Sequence, residues 1–270
     1  MTGKIIITCV YKVVKVTTFQ TIRYTCHDHS LNGKLMSMDS IRIEKLTTAN
    51  FEPVFEFMKM NFAPDEPLFK ATDACEGDGF TEKMMMAELK EKFVRKPIES
   101  QDSFGAFDSE GNIVGVRMGF ISDKKSLPGE PGIAWMLKLP SCMFSQKFIK
   151  CMHIDKFTKE TNYSFAKAFD QCEDHNGKIY FGMAVSVKRD VRVKGLGTRL
   201  VKKSIDYAKE LGCSHMYTLV TGIYSQKIVK NLGFRVLYEK DYESYKDKYG
   251  KVVIDDDVHK SAQVVALKMQ

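Results

Sequence analysis

No uninterrupted apolar stretch in these 270 residues approaches the ~18–20 residues that a bilayer span requires. The best near the start, Ile5 to Val10, is far too short. It also lacks a small-residue cleavage site and sits among Lys4, Lys12 and Lys15, so neither a membrane span nor a secretory signal is expected, and the reading is a cytoplasmic protein. The seven cysteines (9, 26, 75, 142, 151, 172 and 213) form no C-x-x-C pair and are odd in number, against a disulfide framework. His27 and His29 lie near Cys26, but no second cluster completes four ligands, so no metal site is expected and the thiols read as reduced and mostly buried. Self-similarity at a solenoid period is absent.

What is present is an ordinary globular composition, 44% hydrophobic and 28% charged, long enough for one large domain or two small ones. The net charge of +7 is unevenly spread. Residues 1–38 hold Lys4, Lys12, Lys15, Arg23 and Lys34 against Asp28, which is +4 of the +7. These basic residues are scattered and no aromatic pattern interleaves them, so a solvated extension over 1–38 is expected, with no nucleic-acid partner. The compact domain then runs over 39–270.

From Ser40 the pattern becomes regular. Ile41 to Leu46 alternates as a half-buried strand, and Phe51, Phe55, Met58 and Phe62 give a helix capped by Thr47, Thr48 or Asn50. Pro67 disfavours a helical Glu66 and breaks the pattern. A helix over Phe80 to Val94 carries Met84, Met85 and Met86 as adaptable core filling. Strands at Phe104 to Phe107 and Ile113 to Ile121 flank an Asp-Ser-Glu-Gly turn. A loop with Pro128, Gly129, Pro131 and Gly132 comes next. Helical spacing then returns with Phe144, Phe148, Cys151 and Ile154, and again with Phe165, Phe169 and Cys172. Beyond it come a strand (Ile179 to Val187), a helix carrying Leu196, Leu200, Ile205, Ala208 and Leu211 up to Gly212, a strand (Met216 to Val220), a short helix (Tyr224 to Leu232) closed by Gly233, and strands at Phe234 to Tyr238 and Gln263 to Lys268. Strands mixed with helices throughout indicate an α/β (α+β) domain.

Where the Ile179 strand gives way to its helix, the sequence reads Arg192-x-x-Gly195-x-Gly197. A helix N-terminus offers unpaired N–H groups and the positive end of the dipole, and glycines let a phosphate approach, so this loop is a candidate pyrophosphate cradle or a plain tight turn. A Walker loop is excluded, since Gly195-Leu196-Gly197-Thr198 lacks its lysine, and the dinucleotide G-x-G-x-x-G fits poorly.

The combination resembles the acetyl-CoA motif of the GNAT superfamily, Q/R-x-x-G-x-G/A. The resemblance implies a mixed, splayed central sheet with helices on both faces and acetyl-CoA in the splay. It also implies pyrophosphate binding by Arg192, Val193, Lys194, Gly195, Leu196, Gly197 and Thr198, and pantetheine binding by the backbone of Val185, Ser186 and Val187. Asn231-Leu232-Gly233-Phe234 is similar to the exit of the family's second motif. Asn61 to Leu68, containing Asp65-Glu66-Pro67-Leu68, is similar to a signature of insect-type arylalkylamine N-acetyltransferases, and Thr221 to Ser225 sits where that family carries small hydroxyl residues. Val191 stands where an aromatic is usual, and Thr221 where some members have serine.

The activity implied by the resemblance is a direct acetyl transfer from acetyl-CoA to a primary amine such as dopamine, serotonin, tryptamine or tyramine, on a monomer. An amine with a pKa near ~10 must lose a proton before it attacks. Glu66 is the candidate base; the alternative is that it caps a local turn or pairs with a lysine. Ser225, Thr221 or Tyr224 is the candidate donor to the departing thiolate, although a hydroxyl at a helix start is also a cap. Ser225 is also a candidate cofactor contact. Phe51, Phe55, Phe62, Trp135, Phe144 and Phe148 are candidates for an apolar amine pocket, most of them being core. Asp255-Asp256-Asp257 reads as a solvated turn. Rival readings are a GNAT acting on polyamines, longer acyl-CoAs or a protein amine, and a non-catalytic CoA-binding module.

Overall fold

The computed structural model describes residues 40–269 apart from 76, 124–133, 139–142, 171–176, 190 and 192–193. Contacts divide the chain into Met1–Lys34 and Leu35–Gln270, and the sheet and its helices belong to the second unit. Arg192, Val193, the Pro128–Gly132 loop, Cys172 and residues 1–38 lie outside the described residues.

Seven strands form one sheet: β1 (Arg42–Lys45), β2 (Phe104–Phe107), β3 (Ile113–Asp123), β4 (Lys178–Val187), β5 (His215–Val220), β6 (Arg235–Asp241) and β7 (Ser261–Lys268). Their order is β1-β2-β3-β4-β5-β7-β6. Neighbours are antiparallel except β4 and β5, which run parallel. The helices are α1 (Phe51–Phe57), α2 (Pro67–Ala71), α3 (Phe80–Glu88), α4 (Lys96–Glu99), α5 (Gln146–Asp170), α6 (Leu196–Glu210) and α7 (Ile223–Asn231). Pro53 sits in the first turn of α1, and the expected helix over Phe80 to Val94 is built from α3 and a π-helical stretch, Leu89–Arg95. A second π stretch, Met58–Phe62, extends α1 towards Glu66. At the start of that run the Asn50 side chain accepts the Thr47 amide at 2.9 Å.

Both faces of the sheet are covered. On one, Val116, Met118 and Ala184 meet Val54, Phe57, Met58, Met85 and Leu89, with Met84 and Met86 packed against the cluster. On the other, Leu196, Leu200, Val201, Ile205 and Ala208 of α6 pack on Phe104, Val114, Tyr180 and Met216. Further along, Leu68 of α2 and Ile154 and Phe157 of α5 cluster with Tyr242, Tyr245, Ile254 and Ala262. The 3.6-residue period of α6 explains its buried side, since Leu196, Leu200 and the residues after them return to the sheet every turn. Leu211, expected on that stripe, is 40% exposed, because α6 ends at Glu210 and the chain has already turned away.

Leu200 is fully buried. Leu200→Ala should therefore lower the unfolding free energy by about 2–5 kcal/mol in a urea titration. Leu211→Ala should stay within about 0.5 kcal/mol of wild type in the same assay.

Candidate active site

The parallel strands β4 and β5 separate part-way along. Their register runs from Ile179↔His215 to Gly182↔Thr218 and stops. Beyond that point β4 stays paired to β3 as far as Val187, and β5 to β7 as far as Val220. Each strand keeps its outer ladder while the inner edges diverge, which makes a fork. The Thr218 hydroxyl donates to the Gly182 carbonyl at 2.9 Å and so closes the ladder at the vertex. Among the described residues the inner edge of Met183–Val187 meets no partner strand. A bulge at Met183 shifts the β3–β4 register, from Met118↔Ala184 to Gly119↔Gly182. It turns both Met183 and Ala184 towards the α1 side, while Val185 and Val187 pack on the α6 side.

The loop after β4 delivers the chain to α6. Gly195 caps the helix with φ of 92°, a conformation that glycine adopts without strain. Lys194 is exposed beside it, and Leu196, Gly197 and Thr198 form the first turn. Gly197 has a packing role as well: a β-carbon there would come within 3.1 Å of Ile228 on α7. Val185, Ser186, Val187, Lys194, Gly195, Leu196, Gly197 and Thr198 thus lie along one continuous run from the fork to the helix start.

Glu66 comes from a distant part of the chain, the turn between the Met58–Phe62 stretch and α2. Pro67 opens α2 and leaves Glu66 extended (φ −77°, ψ 122°) as its N-cap, where the carboxylate accepts the Phe69 amide at 2.7 Å. The local-cap reading of Glu66 is thus part of its structural role. The residue is half-buried, and the loss of water around its carboxyl raises its pKa against the nearby Thr221 hydroxyl and the Phe69 and Leu68 amides, which favour the charged form. Thr221 directly follows β5, so the nearness of its hydroxyl to the Glu66 carboxyl sets Glu66 at the open end of the fork.

Other groups hold this corner. Tyr242 donates to the Thr221 carbonyl at 2.6 Å. His259 Nδ1 accepts the Ile223 amide at 3.1 Å, which puts the ring proton on Nε2. Asp256 accepts the amides of Val258 and His259 at 2.9 and 2.8 Å and pairs with Lys70 of α2 at 3.0 Å. Asp65 accepts from Arg189 Nε at 2.8 Å, which ties the Glu66 turn to the chain just after β4.

The structure therefore brings Glu66 and Thr221 together. It places Ser225 in the first turn of α7 with its hydroxyl donated to the Gly222 carbonyl at 2.8 Å, a bond back to its own turn and not the helix cap expected from the sequence. Tyr224 is 69% exposed and meets His259 edge-on. The solvated-turn reading of Asp255-Asp256-Asp257 needs correcting at its centre: Asp255 and Asp257 are exposed, but the Asp256 side chain is 4% exposed and organises the loop. Sequence reasoning also missed Tyr242, His259 and the Asp65–Arg189 pair. Only Asp256, with two amides two and three residues ahead, carried a local signal, that of an Asx turn.

Of the aromatic candidates, Phe51, Phe55 and Phe62 pack partly buried on the core, Phe62 against Phe69 and Phe93. Phe148 is buried against Phe144 and Phe80. Trp135 lies in a 3-10 turn, Ala134–Lys138. Burial pushes the Cys151 thiol up to about 12, which keeps it protonated and inert. Among the described residues no cluster of three or more His, Cys, Asp and Glu could hold a metal, and no helix is long and apolar enough to cross a membrane.

A model of the acetyltransferase (GNAT) family matches residues 161–234, the stretch containing β4, the loop, α6, β5 and α7. Those residues carry the match to a GNAT acetyltransferase domain. Arylalkylamine N-acetyltransferase 2 from Aedes aegypti is similar at 27% identity over 85% of this chain and 99% of that one, with a TM-score of 0.63. The fold is shared with a mosquito arylalkylamine N-acetyltransferase-like protein 5b (18% identity, 85% and 100% covered, TM-score 0.60). It is also shared with a Drosophila melanogaster polyamine N-acetyltransferase that forms N-acetylagmatine (19%, 85% and 100%, 0.59). The seven-stranded mixed sheet, open between β4 and β5 and covered on both faces, is the GNAT arrangement expected from the sequence.

Asp256 makes a testable link between this corner and stability. Burial opposes its charge, but the His259 amide, Lys70 and the Val258 amide outweigh it and hold the carboxyl at about 2. The unfolded value is ~3.9. Its contribution is thus complete above about pH 4 and is lost as pH falls through the folded value. Asp256→Asn should lower Tm at neutral pH, and the gap to wild type should close between those limits. Parallel Tm curves down to the acid end would contradict this.

Proposed function

We propose that the protein transfers the acetyl group of acetyl-CoA to a primary arylalkylamine, with Glu66 as general base. The observation that carries this is the position of Glu66: a half-buried carboxyl of raised pKa, fixed on a helix cap and close to Thr221 at the open end of the fork. Residues 39–270 carry the chemistry as a monomer in the cytoplasm, and residues 1–38 are an extension it does not require.

Acetyl-CoA supplies an activated acyl carbon. The first turn of α6, with Arg192, Val193 and Lys194 before it, suits the pyrophosphate, since unpaired amides and the helix dipole favour an anion. The free inner edge of β4, at Val185, Ser186 and Val187, suits the amides of the pantetheine arm and offers N–H donors to charge developing on the thioester oxygen. The amine arrives as an ammonium ion, which the Glu66 carboxylate attracts and then deprotonates, directly or through water. Once Glu66 holds that proton, the Thr221 hydroxyl no longer needs it as an acceptor and is free to turn to the departing sulfur. Ser225, at the start of α7, is the second hydroxyl within this corner. The acids flanking Glu66 favour a monoamine over a polyamine. Asp65 is engaged by Arg189 and Asp256 by Lys70, so neither is left for a second ammonium group.

Thiol release should be measured against a panel of aromatic monoamines, polyamines and a lysine-bearing peptide. Aromatic monoamines are expected to turn over fastest, and Glu66→Gln should cut kcat by about 10²–10⁴ while acetyl-CoA still binds. Binding without turnover across the panel would reject the reading in favour of a CoA-binding module. Thr221 offers a finer check. Thr221→Val removes a donor to the charged Glu66, so its pKa rises further and the acid limb of kcat/KM should move to higher pH. Ser225→Ala should leave that limb in place.

A further inference from the structure

Arg117 of β3 is 2% exposed, and its guanidinium lies at the vertex of the fork. It passes over Gly182, where any β-carbon would collide with Nη2. Nη1 reaches the Ala184 carbonyl at 3.5 Å and Nη2 the Met216 sulfur at 4.0 Å, so the cation spans from β4 to β5 where the two part. From α6 only the Ser204 hydroxyl meets it, at 3.3 Å from Nε, and from β4 the Tyr180 ring, centred 5.9 Å away. Among the described residues no carboxylate pairs with it. Asp102, reached through the Tyr180 hydroxyl, commits its own carboxylate to the Ile121 amide and the Tyr207 hydroxyl. A charge taken out of water without a counter-ion is costly, and an arginine does not escape the cost by losing its proton. A buried cation without an acid is understandable where the reaction itself brings negative charge.

We infer that Arg117 is a positioning residue for acyl transfer, a fixed cation at the root of the fork that stabilises the thiolate leaving the thioester. The inference rests on the acetyl-CoA reading. In that reaction the amine lone pair forms the new C–N bond and the amine proton passes to Glu66. The C–S bond breaks with its electron pair retained by sulfur. A cation held in a dry site and needing no reorganisation favours that last event. Polarised by the guanidinium, the Ala184 peptide extends the same field along β4.

The test uses reduced CoA as probe, bound to the whole protein, with the thiolate followed by ultraviolet absorbance over a pH series. The thiol of bound CoA should ionise at lower pH than that of free CoA. Arg117→Met should abolish this shift and lower kcat tenfold or more, with the KM for acetyl-CoA changed less than threefold. Arg117→Lys, which keeps the charge, should retain the shift. A bound thiol that titrates like free CoA in the wild-type protein overturns the inference without recourse to any variant. So does an Arg117→Met protein with wild-type titration, or one losing only thermal stability. Failure of CoA to bind at all would instead overturn the acetyl-CoA reading and this inference together.

Discussion

The carbonyl of Gly182 is the last group through which β4 holds β5, and the architecture of the site depends on how that contact ends. A parallel pair left to itself would go on zippering. Here that carbonyl accepts from a side chain, the Thr218 hydroxyl, and the Met183 bulge changes which way β4 faces just beyond it. Because each strand keeps its outer ladder, the split leaves the two halves of the sheet intact. What remains is a slot lined by backbone groups, with α6 at its end and both faces already sealed by apolar packing. A rigid scaffold thus presents backbone N–H and C=O groups that, among the described residues, no partner strand takes, without a loop having to supply them.

The second organising element is the turn at Asp65–Pro67. Proline fixes where α2 starts, the cap fixes where the Glu66 carboxylate points, and two ion pairs fasten the turn to distant parts of the chain: Asp65 to Arg189 after β4, and Lys70 to Asp256 before β7. The exposed Asp65–Arg189 pair contributes little to stability on its own, whereas the Asp256 side chain is buried and is held by two amides as well as by Lys70. The shared value of the two pairs is geometric, since they join the segment that carries the acid to both sides of the fork.

Much of this could be read from the sequence. Period-two and period-3.6 patterns located β1 to β5, β7, α1, α3, α6 and α7 to within a few residues, because each buries one face against the sheet. They gave no sign of the short α2 and α4, split the single helix α5 into two stretches, and ended β6 three residues early. The glycine loop and the Asp-Glu-Pro-Leu turn stood out because backbone geometry there constrains residue choice locally. What escaped was non-local. Nothing in the sequence pairs Thr221 with Glu66, 155 positions away, and Arg117 looks like any strand residue until the sheet places it against Gly182. Asp256 was misread because three successive acids look alike in sequence, while only the middle one points back to the amides ahead of it. Leu211 failed for a simpler reason: a periodic pattern does not know where its helix stops.

The side chain chosen at position 66 also bears on descent. Helix caps favour Asp, Ser, Asn or Thr, whose short side chains reach the amides ahead of them without an extra methylene. Glutamate is a second-rate choice for that task alone. A lineage released from selection for turnover would therefore be expected to drift at this site towards the better caps, keeping the turn and improving the helix. If Glu66 is the base proposed above, retention of glutamate rather than aspartate would mark continuing use, and across related genes this one-carbon difference would separate working copies from relics that have kept only the shape.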